Sequence, residues 1–387
     1  MNGPAQTLIW RKAAVLGSLW AASEIILGSF LHNARIPFSG RLLTGIGIAI
    51  LVAGHRLWPE KGLLWRIGLV CAAMKSVSPS AVLLSPMIAI FTEGLLAEAA
   101  VRLAGANMAG YLLAGGLVMS WGLAHKVGKM LLIYGPGSVA IYARGLEKLR
   151  EILGAPGGVW GPVLALAGLY FIAGTAAALL GLKASGKGKL LDCRPAGEEA
   201  PAWYNVARNY GYHSVYLLPF HLLVISGLMA SGRLPLWSAA GLSGAYGLIC
   251  ALLYGRARAL LARADIWTGV VLFSILGGLL LGDWGSGLRM AGRAFALTLG
   301  FAGVAQELLN PSIKAAMEKL AGRTFFETLE HAFATLPLVL ACLPSGRNIL
   351  LSPAASLRTI ISRAPALLHE PSAGARLSRL DGGSPEC

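Results

Sequence analysis

Apolar runs long enough to cross a lipid bilayer recur along this chain, and they constrain its fold more than any motif does. Crossing the hydrocarbon core takes about 20 residues of helix. Runs near that length are predicted at 13–31, 42–58, 82–100, 108–134, 159–182, 214–230, 234–254, 266–282 and 288–309, with a shorter one at 63–74. In lipid every backbone N–H and C=O must find a partner within the protein, so such runs fold as helices. The predicted fold class is all-α, a polytopic transmembrane helical bundle of ten spans. Composition removes the soluble alternative. Charged residues make up 13% of the chain, against about 25% in a soluble domain, too few to build a water-facing surface.

The net charge of +15 would point to nucleic acid in a soluble protein. Here the Lys and Arg flank the apolar runs, as loop charges of membrane proteins do, so no nucleic-acid partner is expected. With the N-terminus in the cytoplasm, the cytoplasmic side collects Arg11, Lys12, Arg56, Lys61, Arg66, Arg102, Lys183 and the later cluster Arg256, Arg258 and Arg263. The opposite side receives fewer: Arg35, Arg41, Lys75, Arg144, Lys148, Arg150 and Arg233. The expected location is therefore the cytoplasmic (inner) membrane, multi-pass, N-terminus inside. The basic stretch 135–158 falls on the opposite side. Arg11 and Lys12 precede the first run, and Glu24, His32 and Arg35 follow where a cleavage site of small residues would stand. A retained first helix is expected. The five cysteines form no CxxC or Cys/His pattern, so neither zinc nor a disulfide framework is expected.

One sizeable hydrophilic segment divides the chain. The expected organisation is a six-helix membrane domain over 1–182, a cytoplasmic linker over 183–212, a second membrane domain with amphipathic helices over 213–365, and a polar tail over 366–387.

Three groups of residues carry the candidate chemistry. In the first helix, Ala13, Gly17 and Ala21, and beside them Ala14, Ser18 and Ala22, place small residues one turn apart, a spacing that admits close approach of another helix in lipid. Packing within its own bundle is the plainer reading. The segment 22–40 then brings Glu24, a carboxylate costly at membrane depth unless it faces a partner or a cavity, and His32, Asn33 and Arg35 where the helix leaves the membrane. Interfacial anchoring explains His32 and Arg35 equally well. The third group joins Lys75, beside the helix-breaking Pro79, with Trp121, His125 and Lys129, which share one helical face at four-residue spacing. Inward cations would suit an anionic solute, whereas snorkelling to the interface would leave Lys126 and Lys129 structural. Glu93 and Glu98 are then neutralising groups. No metal site is expected.

Enzyme motifs are absent. The chain has no Walker loop with which to hydrolyse ATP, no HExxH pair and no GxSxG turn. Two other classes use the same residues. One is an ion- or proton-coupled transporter with Glu24, Glu93, Glu98 and His125 as a relay. The other is a membrane-embedded lipid-modifying enzyme with His32, His125 and His221 as acid–base groups.

Residues 10–182, by their six helices, small-residue first helix and polar residues in the first loop and later helices, resemble the substrate-binding S component of energy-coupling factor (ECF) transporters. Residues 210–365, through GLRMAGRAFALTLGFAGVAQELLNPSIKAAMEKLAG and FFETLEHAFATLPLVLACLP, look like a divergent T component. The resemblance implies an S–T fusion that captures a vitamin-like or cofactor-precursor molecule and couples to separate ABC-type ATPase subunits. It implies no enzyme activity and no covalently bound cofactor, with ATP held by the partners. Glu24, His32, Asn33, Arg35, Lys75, Trp121, His125 and Lys129 would bind the solute, and Arg323 and Arg363 would couple to the ATPases. T components often carry Ala-Arg-Gly at the ends of their coupling helices; in this chain that triplet occurs at 143–145, in the first half.

Overall fold

The computed structural model describes residues 4–33, 39–75, 84–153, 160–185, 214–230, 235–308, 310, 312–313, 315–316, 319, 323–342, 352–362 and 364–368. The expected linker at 183–212 and the tail at 366–387 lie almost wholly outside the described residues.

All described elements are helices. Six of them close into a ring: α1 (Pro4–Asn33), α2 (Ser39–Leu57), α3 (Leu63–Lys75), α4 (Leu84–Ala104), α5 (Met108–Tyr134) and α7 (Trp160–Ala184). Around the ring α1 touches α3, then come α4, α5, α7 and α2, which returns to α1. Close approach is set by small residues. A side chain at Gly17 would stand 2.7 Å from Val70 Cγ1, so α1 lies tightly on α3. Between α3 and α4 the contact is backbone to backbone, since a Cβ on Gly68 would fall 2.9 Å from Gly94 Cα. Dispersion gained by such contact holds helices together where lipid removes the hydrophobic drive.

Helix ends follow local chemistry. Asn107 accepts a hydrogen bond from the Gly110 N–H at 3.0 Å and so starts α5; Gly135, at φ +84°, ends it. Between them α5 runs 27 residues. Residues 135–158, expected as a basic loop, instead contain α6 (Gly137–Leu153), an amphipathic helix that packs against α5 and α11 (Ala264–Leu281). Its Arg144, from the Ala-Arg-Gly triplet, donates to the Leu280 carbonyl near the end of α11. In this structure the triplet ties the two halves of the chain together.

The second bundle comprises α8 (Leu217–Ala230), α9 (Leu236–Leu253), α10 (Gly255–Leu261), α11 and α12 (Trp284–Glu307). Helix α12 is central, touching each of the others. Three further helices follow: α13 (Arg323–Cys342), α14 (Pro353–Ser362) and α15 (Ala364–Leu368).

Among the described residues, four helices are long and apolar enough to span a membrane, namely α2, α4, α7 and α9, and α10 with α11 forms a fifth candidate bent by 62°. The other predicted runs are also helical. However, α1, α5 and α12 carry ionisable side chains along their length, while α3 and α8 have 13 and 14 residues. The outer face of α7 is apolar and bare, with Leu164, Leu169 and Ile172 each more than 60% exposed. Apolar outside and charged inside is the arrangement a lipid solvent selects.

Core packing gathers the described helices into two clusters. One core joins α1–α5 and α7 to Ala332, Leu336, Val339, Leu357, Ile361 and Leu367 of α13–α15. A separate core holds residues of α8–α12. Within the expected unit 213–365, the apolar faces of α13 and α14 find cover on α1, α2, α3 and α7.

Candidate functional site

Polar side chains from six helices meet at the end of the first bundle where α1 finishes and α2 begins. Glu24 on α1 pairs with Lys75, the last residue of α3, at 3.4 Å; the two side chains are 12% and 14% exposed. From α4, the Glu93 carboxylate is buried and accepts a hydrogen bond from the Thr44 hydroxyl of α2 at 3.3 Å. Glu93 lies within electrostatic reach of both Glu24 and Arg41, and the buried Cys71 is close to Glu24, Lys75 and Glu93. Arg41 points inward. It donates to the Gly122 carbonyl of α5 at 2.8 Å, and its guanidinium lies 4.9 Å from the Tyr170 ring of α7. On α5, His125 Nε2 is 3.1 Å from the Ser85 hydroxyl, and the rings of Trp121 and His125 are 5.8 Å apart. Trp121 Nε1 is buried without a hydrogen-bond partner among the described residues.

The cluster holds two carboxylates and two cations drawn from four helices. Taking such charges out of water costs several kcal/mol each, offset only by good pairing. The carboxylates are loosely paired, by one ion pair at 3.4 Å and one hydroxyl hydrogen bond at 3.3 Å; Arg41 takes a backbone carbonyl at 2.8 Å, and one indole N–H is spare. A buried polar group left short of partners calls for an explanation.

Of the residues predicted from sequence, Glu24, Lys75, Trp121 and His125 are brought together. Lys129 follows one turn beyond His125, within electrostatic reach of its ring, with its side chain exposed, as is that of Lys126. His32 and Asn33 close α1, but their side chains lie outside the described residues, as does Arg35 entirely. Ala14, Ser18 and Ala22 are fully buried, and the Thr335 hydroxyl of α13 donates to Ser18 Oγ at 3.3 Å. Arg323 begins α13, with its side chain outside the description; Arg363 is outside altogether.

Sequence reasoning missed Arg41 and Thr44, placing Arg41 in an outer loop. Their three-residue spacing puts them on one helical face, which was the available signal. Glu98 has a different task from the expected one. It accepts from the N–H groups of Gly62 (2.6 Å) and Leu64 (3.1 Å) at the start of α3, and pairs with Arg102 at 2.7 Å. It caps a helix and is no counter-ion to Lys75 or Lys129.

The second bundle holds another buried polar group. His221 Nδ1 is 2.8 Å from the Tyr246 hydroxyl, and His221 Nε2 is 2.6 Å from the Tyr254 hydroxyl. Tyr254 donates to Glu307 Oε1 at 2.8 Å, and Asn310 Nδ2 donates to Glu307 Oε2 at 3.0 Å. Proton counting fixes the direction. Tyr254 gives its one proton to Glu307, so it accepts from His221 Nε2–H; Nδ1 of the neutral ring then accepts from Tyr246.

Fold and site define the class: an all-helical, polytopic membrane protein with charged side chains enclosed in its first bundle. No family model matches the chain, and neither a curated protein nor a solved structure matches it.

Proposed function

We propose that this chain is the membrane part of an importer for a small polar solute of the vitamin or cofactor-precursor kind. In this reading the first bundle captures the solute and separate ABC-type ATPase subunits drive its release, as in ECF transporters. The charged cluster carries the reading: Glu24, Arg41, Lys75 and Glu93 are drawn inward from four helices and incompletely paired, and Trp121 has a donor to spare. Both signs of charge suit a zwitterionic or hydrogen-bonding solute better than a simple anion. The contact of α13 with the small-residue face of α1 gives a route by which the C-terminal helices act on the first bundle. Placing the N-terminus in the cytoplasm gains support from Arg41 and Lys75, which turn inward and so leave the opposite loops with less positive charge.

Native mass spectrometry of the purified chain tests capture. The wild type should retain a small polar compound that Lys75→Met loses, and tagged chain should bring down an ATP-binding subunit. Absence of both ends the proposal. A second reading, a proton-coupled transporter, draws on the buried Glu93 carboxylate with its single hydroxyl donor; Glu98 drops out of that relay. Uptake that persists without ATPase subunits but collapses with the proton gradient selects it.

A further inference from the structure

A cavity of about 590 Å³ opens at the other end of the first bundle from the charged cluster. It lies between the last turns of α2 and α7 and the first turn of α5, where the spans meet water. Arg56 and Lys183 line it and no acidic side chain does; neither cation is in an ion pair among the described residues. A third cation stands at the rim, since Arg358 of α14 donates to the Lys183 carbonyl at 2.8 Å. The neutral polar groups are already engaged. Asn107 caps α5 and donates to the Ala104 carbonyl, and the Tyr111 hydroxyl is 3.0 Å from His55 Nδ1. What remains uncompensated is positive charge.

Leu179 and Leu182 give the cavity an apolar wall on α7. From Leu179 an exposed stripe of Ala176, Ile172 and Leu169 runs away along α7 at three- and four-residue steps, and the next position on that face in the other direction is Lys183. An apolar track that ends in a cationic pocket at the membrane boundary matches a lipid from tail to headgroup. We propose that the cavity seats the phosphate headgroup of an anionic phospholipid, with an acyl chain laid along the α7 stripe. The site is independent of solute capture, because it lies at the opposite end of the bundle.

The full chain in detergent would be titrated with phosphatidylglycerol, phosphatidylcholine and inorganic phosphate, and bound species read by native mass spectrometry. Phosphatidylglycerol should be retained over phosphatidylcholine, and Arg56→Gln/Lys183→Gln should weaken it roughly thirtyfold, since each basic residue near an anionic headgroup contributes roughly fivefold. Arg56→Lys/Lys183→Arg should keep binding, as should Lys126→Gln/Lys148→Gln, which removes the same charge from exposed positions elsewhere. Equal retention of the two lipids overturns the proposal. So does an equal loss in the Lys126/Lys148 variant, or displacement of phosphatidylglycerol by inorganic phosphate, which would mark a site for a soluble anion. If the double variant melts early, Lys183→Gln alone and the two-lipid comparison on wild type decide the matter.

Discussion

The two bundles each bury a polar cluster, and the clusters are built on opposite plans. In the second bundle His221, Tyr246, Tyr254, Glu307 and Asn310 form a directed chain with bonds of 2.6 to 3.0 Å, and each group's main donor or acceptor is used. The glycines beside it, Gly300 and Gly303, leave room for the two tyrosine rings. In the first bundle the two carboxylate contacts are longer, at 3.4 and 3.3 Å, while Arg41 holds the Gly122 carbonyl at 2.8 Å; the charges are more numerous and the Trp121 N–H is unmatched. A completed network rigidifies a core, while an incomplete one has capacity left for a ligand. On the proposed reading, the second cluster supports the fold and the first receives the solute.

The largest effect expected is on the second cluster. Glu307→Ala strands the Tyr254 hydroxyl and the Asn310 amide and should cost about 3 kcal/mol, read as a shifted midpoint in detergent-driven unfolding. An unchanged midpoint would break the contrast at once. In the first cluster, Lys75→Met leaves Glu24 buried without its cation and should cost about 2 kcal/mol, whereas Glu24→Leu/Lys75→Met together should return to within about 1 kcal/mol of wild type. The double variant should fold and still fail to retain solute. If it retains solute, the charges serve stability alone.

A finer comparison uses two aromatic donors. Tyr246→Phe deprives His221 Nδ1 of its donor and should cost about 1 kcal/mol, while Trp121→Phe removes a donor that has no partner and should change stability by about 0.5 kcal/mol at most. Solute retention should respond in the reverse order, Trp121→Phe lowering it and Tyr246→Phe leaving it alone. Smallest of all is Asp283, the exposed cap of α12. Its carboxyl is held below the usual range by the Ser286 hydroxyl first, with the N–H groups of Gly285 and Ser286. The lowered folded value means its contribution is complete above the ordinary carboxylate value and vanishes as pH falls through the folded one. Asp283→Ala should therefore be slightly less stable than wild type at about pH 7 and indistinguishable at about pH 2.

Much of this was legible in the residues. Each predicted apolar run became a helix, because a run without polar breaks has no other way to satisfy its backbone in lipid. Glu24, Lys75, Trp121 and His125, which the structure places near one another, were legible because an ionisable or N–H-bearing group at membrane depth stands out by itself. For Lys129, helical spacing gives a face shared with His125 but not which way a long stem bends. Arg41 was hidden by its position next to a turn, and Glu98 by its distance in sequence from Gly62 and Leu64, whose N–H groups it takes.

The order of apolar and polar residues by itself determined that this chain is helical and made for a lipid solvent, since those are responses of single segments to their surroundings. Which helices are neighbours was decided only in three dimensions. The return of α13 and α14 to the first core, the ring that gathers Arg41 beside Glu93, and the basic cavity at its far end all depend on contacts between segments tens to hundreds of residues apart. Such contacts reflect shape and charge matched across helices, and no local pattern records them.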